Sequence, residues 1–126
     1  METTIYSPDE HPGVTVIATS GDVELGECGC DRLIQLLCSL VEAGERFLVF
    51  DLSESERVTD RALAELVSVL AQVRLAGGDA VFVVQPGPVL KGLQTIGVSN
   101  LTLVLEYLDQ AIGQMAMKAT EADEQG

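Results

Sequence analysis

The stretch from Arg46 to Val84, RFLVFDLSESERVTDRALAELVSVLAQVRLAGGDAVFVV, constrains the fold more than any other part of the chain. Two near-continuous Val/Phe/Leu runs, Arg46–Leu52 and Ala80–Val84, are each too short for a core helix. Between them lie a polar segment, Ser53–Val58, and an apolar-periodic segment from about Thr59 to Ala76. Strands that are apolar at nearly every position are buried on both faces, and two of them joined through a helix form a parallel pair. The stretch therefore reads as strand, polar loop, helix, strand, with function expected at the strand-to-helix loop.

The flanking segments extend the same pattern. Val14–Thr19 reads as a strand that Ser20-Gly21-Asp22 ends in a turn, and Thr3-Thr4-Ile5-Tyr6 has the composition of a short edge strand. Leu33, Leu36, Leu37, Leu40 and Val41 recur at helical spacing and stop at Gly44. In the central helix the stripe is Leu63, Leu66, Val67, Leu70 and Val73, closed by Gly77-Gly78. Gln85-Pro86-Gly87-Pro88 opens a short helix through about Ile96, and Leu101–Leu105 gives a last strand. Leu108, Ala111, Ile112, Met115 and Ala116 mark a closing helix, after which the acidic Glu121–Gly126 is expected to fray. The order implies one α/β domain over residues 13–117, with a mixed, mostly parallel sheet of four or five strands and about four helices. Residues 1–12 are expected as a flexible or edge-strand segment and 118–126 as a disordered tail.

Composition narrows the function classes. At 126 residues and 47% apolar the chain is long enough to bury one core. A net charge of −13 repels nucleic acid and anionic lipid. No apolar run approaches the roughly 18 residues of a membrane span, and the start METTIYSPDE lacks a secretory pattern, so a cytoplasmic location is expected. Cys28, Cys30 and Cys38 are odd in number and the first two too close for an easy bridge, which suggests reduced thiols, with Cys38 in the core. No metal or cofactor site emerges: His11 is the only histidine, no nucleophile-histidine-acid set is apparent, and no glycine-rich phosphate loop occurs. Asp51 ends a strand as a phosphoacceptor aspartate would, but the first strand runs out with a single acid rather than a metal-holding pair, so Asp51 is expected to be structural.

Several segments, in order, resemble the STAS domain, the fold of bacterial anti-sigma factor antagonists and of sulfate-transporter tails. These are Ser20-Gly21-Asp22-Val23-Glu24, Phe47-Leu48-Val49-Phe50-Asp51-Leu52-Ser53, Leu75-Ala76-Gly77-Gly78 with Val81-Phe82-Val83-Val84, and Val89 through Gly97-Val98. The likeness covers about Gly13 to Met115. It implies a non-catalytic module that binds a protein: an anti-sigma factor or serine-kinase-like partner, or another STAS protein. Partner-switching members of the family carry Asp-Ser-Ser/Thr-Gly at the head of the central helix, the second hydroxyl being phosphorylated. Here Thr59-Asp60-Arg61-Ala62 stands there, with Arg61 at the acceptor position.

A helix start favours acids and disfavours cations, so Thr59 as N-cap with Asp60 in the first turn is expected, while an exposed Arg61 costs about 0.3–1 kcal/mol. Asp51, Glu54, Glu56 and Asp60 against Arg57 and Arg61 give the loop a net −2. That is close to the −1.5 to −2 that a phosphoserine adds at about neutral pH. The expectation is a module held in one binding state with no phosphorylation switch. A displaced acceptor at Thr59, Ser53 or Ser55 is the competing reading. The docking surface is expected to comprise Ser53, Glu54, Arg57, Thr59, Asp60, Arg61 and Ala62, with Asp22 and Glu24 from the Gly21–Glu24 turn nearby. A structural subunit of a larger, stressosome-like STAS assembly, a regulatory partner of a transporter ATPase and a homodimer all remain open.

Overall fold

The two apolar runs become neighbouring strands at the middle of a sheet. The computed structural model describes residues 2–23 and 28–125, with the side chains of 2–21 and 35–122. In chain order it contains β1 (Glu2–Tyr6), β2 (Val14–Val23), α1 (Cys28–Glu42), β3 (Phe47–Val58) and α2 (Asp60–Leu75). There follow β4 (Asp79–Val83), α3 (Pro88–Thr95), a 3-10 turn at Val98–Asn100, β5 (Val104–Leu105) and α4 (Leu108–Gln125). The strands lie in sequence order, β1 antiparallel to β2 and the others parallel. The expected mixed, mostly parallel sheet with four helices is what forms.

Strand order that steps always in one direction puts every right-handed crossover helix on the same face. Leu37 of α1, the buried stripe of α2 and Val89 and Leu93 of α3 accordingly share one cluster with Leu48, Phe50, Leu52, Ala80 and Phe82. The other face, Val14, Val16, Phe47, Val49, Val81 and Val83, is covered by Ala111 and Met115 of α4. Alternate residues of β3 and β4 thus enter different clusters, which is why neither run shows a polar face. Phe50 and Phe82 meet across the strands, ring centroids 5.1 Å apart and tilted by 43°.

The Gly77-Gly78 pair is fixed by a close approach. Gly77 has φ +92°, and a Cβ on Gly78 would sit 1.8 Å from the Arg46 carbonyl oxygen. That carbonyl accepts a hydrogen bond from Asp79 N at 2.8 Å, the first link between the segments that start β3 and β4. At the same corner the Asp79 carboxylate accepts from Arg74 Nε at 2.9 Å and its own neighbour Ala80 N at 2.8 Å, and pairs with Lys118 of α4.

Four boundaries differ from the sequence expectation. Ser53–Val58 is not a loop but the second half of β3, and β2 runs through Ser20-Gly21-Asp22 to Val23 instead of turning there. The last strand shrinks to Val104–Leu105, because the turn at Val98–Asn100 takes up the chain before it. Residues from 118 onward, expected as a tail, continue α4 to Gln125: Lys118 is tied to Asp79, and Ala119 packs on the second cluster. Cys38 is half-buried, with its Sγ 3.9 Å from Gln72 Oε1 across α1 and α2, so it borders the core instead of filling it.

Candidate functional site

β4 pairs with β3 as far as Asp51↔Val83, whereas β3 continues for a further seven residues with β2 alone. The carboxyl end of the sheet therefore projects as a two-stranded ribbon, made by 20–23 and 54–58, that leads directly into α2. Its register slips twice. Ala18 faces Asp51 but Ser20 faces Glu54, and Gly21 faces Ser55 but Asp22 faces Arg57. At each slip β3 holds one residue more than β2, which bends the strand and increases its twist. Gly21, at φ +76°, supplies the left-handed backbone between the two slips.

Three hydroxyls hold this geometry. Ser55 is buried, donates to the Thr19 carbonyl oxygen at 3.2 Å and lies 2.7 Å from Thr19 Oγ1. With one proton each, Thr19 then donates to Ser55 Oγ, and both hydroxyls are satisfied. Ser53 donates from N at 3.0 Å and from Oγ at 2.6 Å to Asp51 Oδ1, so the largely buried Asp51 carboxylate closes a local turn. Burial pushes the Tyr6 phenol up, and the nearby Asp51 charge adds to that. Thr59, at φ −68° and ψ 154°, caps α2: its Oγ1 accepts from Ala62 N at 3.2 Å, with Asp60 in the first turn.

The surface that results carries Glu54, Glu56, Arg57, Asp60 and Arg61, all exposed. At the same end of the sheet, beyond β4, an apolar hollow of about 540 Å³ is lined by Pro86, Gly87, Pro88, Leu90, Lys91 and Gln94. Among the described residues no group of three or more His, Cys, Asp or Glu is placed to hold a metal ion. Among them also, no helix is long and apolar enough to cross a membrane.

No family model matches the sequence, and no curated protein is similar to it. The fold, in contrast, is found among solved structures. An anti-sigma factor antagonist from Mycobacterium paratuberculosis superposes with a TM-score of 0.79 at 21% identity, over 90% of this chain and 92% of that one. The chain has the STAS fold. A Thermotoga maritima protein assigned as an anti-sigma factor antagonist gives 0.77 at 14% identity, covering 90% and 93% of the two chains. The anti-sigma factor antagonist SpoIIAA in its unphosphorylated form gives 0.64 at 8%, covering 86% and 92%.

Set on the STAS fold, the residues singled out in the sequence separate into three groups. Asp22 is brought opposite Arg57 by the ribbon register, within β2 and not in a turn, while Glu24 lies outside the described residues. Glu54, Arg57, Asp60 and Arg61 share the exposed surface, with Thr59 and Ser53 half-buried at its margins. Ala62 does not belong with them: its side chain is 0% exposed and packs in the core, so it offers nothing to a partner. Asp51 also leaves the surface. The exposed described charges are then three acids against two arginines, a net −1, not the −2 counted over the whole loop. Nothing local in the sequence marks the Thr19–Ser55 and Asp51–Ser53 pairs: Leu52, Ser55 and Val58 recur at every third residue, a spacing set by the two slips and not by a strand period of two.

Proposed function

We propose that this protein is a non-catalytic STAS module that regulates another protein by direct contact, in the manner of an anti-sigma factor antagonist, without a phosphorylation switch. The observation that carries the reading is the bulged ribbon, which sets Glu54, Glu56 and Arg57 beside Asp60 and Arg61 on one exposed surface at the head of α2. Three described neighbours named as anti-sigma factor antagonists support the class of function. The partner is an anti-sigma factor of the serine-kinase type or another STAS protein, and the setting is transcriptional control in the cytoplasm of a bacterium.

The hydroxyls at this surface are already engaged. Arg61 occupies the position that the resemblance gives to the acceptor. Ser55 is buried and engaged with Thr19, Ser53 is committed to Asp51, and Thr59 caps the helix. Phosphorylating any of them forfeits a hydrogen bond that shapes the surface itself. Recognition then rests on shape and charge pattern, because the exposed net −1 falls short of a phosphoserine's roughly −1.5 to −2. The test is calorimetric titration of the partner captured from the native cell against the chain and its Asp60→Ala/Arg61→Ser variant. The variant is expected to bind about tenfold or more weakly with its melting temperature within a few degrees of the parent, since exposed changes move stability by under about 0.5 kcal/mol. Equal affinity removes the surface, and stoichiometric phosphate on Thr59 after incubation with the kinase removes the switchless reading.

A further inference from the structure

We propose that two copies of this chain pair through α2, the apolar groove beside that helix receiving Leu75 of the second copy. The pairing is separate from the docking surface at the head of the same helix and does not rest on it. The groove holds about 420 Å³ and is lined by Val67, Leu70, Ala71, Arg74 and Leu75 of α2, with Leu101 from the end of the 3-10 turn as its other wall. Gln72, turned toward Cys38 of α1, lies on the opposite side of α2, so α1 leaves the groove open. Leu75 is 89% exposed and Leu101 48%. A lone exposed leucine carries no information, but one that protrudes at the rim of an apolar groove marks a contact surface.

Spacing and charge select a second copy as the occupant. When two identical helices pack antiparallel about a two-fold axis, residues equally far on either side of the crossing point meet. Val67 and Leu75 stand four residues before and four after Ala71, on one face of the helix. Pairing about Ala71 therefore sets Leu75 of each copy against Val67 of the other, and the small Ala71 side chains at the crossing let the helices approach closely. In this register Arg74 falls opposite Ser68 and Glu65 opposite Gly77, so no like charges meet. Among the described residues no Asp or Glu lines the groove, although the chain carries 20 of them, and Arg74 is already paired with Asp79 at 2.9 Å. A chain of net charge −13 meets its own copy only where acids are absent. From Ala71 back to Arg61 the helix rises about 15 Å, so the two heads lie about 30 Å apart and the dimer presents both docking surfaces.

The test is sedimentation equilibrium of the full chain from about 10 µM to about 1 mM. The parent is expected to rise from 13.4 kDa toward twice that mass. Leu75→Lys is expected to stay monomeric with its melting temperature within a few degrees of the parent, because a cation is favoured at a helix C-terminus. The lysine also lessens the repulsion between copies, so loss of the dimer reports the lost contact and not added charge. Raising the salt from about 0.05 to about 0.5 M is expected to tighten the parent dimer severalfold by screening that repulsion. Under oxidation Ala71→Cys is expected to give a disulfide between the two copies of residue 71, identified by mass spectrometry, whereas Ala64→Cys, which falls opposite Gly78, gives none. Should Leu75→Lys fold poorly, the crosslink decides. A parent still monomeric at about 1 mM, a dimer that survives Leu75→Lys, or crosslinking through residue 64 and not 71 overturns the pairing. Binding of the native partner by Asp60→Ala/Arg61→Ser reports on the docking surface alone, so either proposal can fail while the other stands.

Discussion

Replacing Asp79 tests whether the corner where β4 begins holds three layers together. Its carboxylate, 13% exposed, accepts from Arg74 Nε at 2.9 Å and Ala80 N at 2.8 Å, and is paired with Lys118, so α2, β4 and α4 meet at one side chain. Burial pushes the Asp79 acid up from its ordinary 3.8, but the hydrogen bonds from Lys118, Ala80 N and Arg74 and the Lys118 charge outweigh it and hold the carboxyl below that value. Arg74 and Lys118 are 38% and 37% exposed, so solvent screens both pairs. Each is then worth up to about 1 kcal/mol, and a buried Ala80 N–H left without its acceptor costs about 1 more. Asp79→Ala is therefore expected to destabilise by about 2–3 kcal/mol, which for a domain of this size lowers the melting temperature on the order of 10 °C. Asp79→Asn keeps an acceptor for Ala80 N and loses the charge, for about half that cost.

The sign with pH follows from the lowered carboxyl. The unfolded chain takes up its proton at a higher pH than the folded one, so the Asp79 contribution is whole above the ordinary value of 3.8 and fades as pH falls through the lower folded value. The quantity to measure is the difference in unfolding free energy between the parent and Asp79→Asn, by urea denaturation at a series of pH values, because the other carboxyls cancel in it. That difference is expected to be constant above about pH 5 and to shrink below about pH 4. A gap that is absent at neutral pH, or that widens on acidification, refutes the reasoning.

Three further changes probe the elements that position the surface. Gly78→Ala puts a Cβ against the Arg46 carbonyl and is expected to cost more than about 3 kcal/mol, read as loss of soluble folded protein or a collapsed urea midpoint, whereas a milder loss shows that the corner yields. Thr59→Ala removes the α2 cap for about 1 kcal/mol, which Thr59→Ser restores in thermal melts. Ser55→Ala strands the Thr19 hydroxyl and is expected to cost about 1–2 kcal/mol, while Ser55→Ala with Thr19→Val recovers much of it, a non-additivity that a double-mutant cycle measures.

The fold was legible because its signals are repeated and local. Alternate residues of Phe47–Leu52 and of Ala80–Val84 enter two different clusters, so both runs announced a strand covered on both sides. The α2 stripe and its Thr59 cap were equally plain, since capping needs only a hydroxyl and the turn after it. What the sequence concealed depends on partners far along the chain. The helical continuation of 118–125 draws on Asp79 and on the second cluster, so an acidic stretch with weak helical patterning of its own looked like a tail.

The candidate site was the hardest part to read, and for one physical reason. Ser53–Val58 has the composition of a loop, and it becomes strand because β2 offers it a ladder in a register that slips twice. Each slip adds a residue to β3 that no period-2 pattern allows for, so the alternation that marks a strand is broken where the strand is most needed. The same slips decide the electrostatics. They turn Ser55 inward to Thr19, while Asp51 closes its own turn with Ser53 and leaves the surface, so a count over consecutive residues overstates the charge a partner meets. With Asp60 and Arg61 at the head of α2, what distinguishes this surface is acids and arginines interleaved by the register, Glu54 opposite Ser20 and Arg57 opposite Asp22. A phosphoryl group on a single hydroxyl concentrates its charge at one point. Acids and arginines interleaved over the ribbon and the helix head spread charge of both signs, which a partner matches by complementary shape and charge.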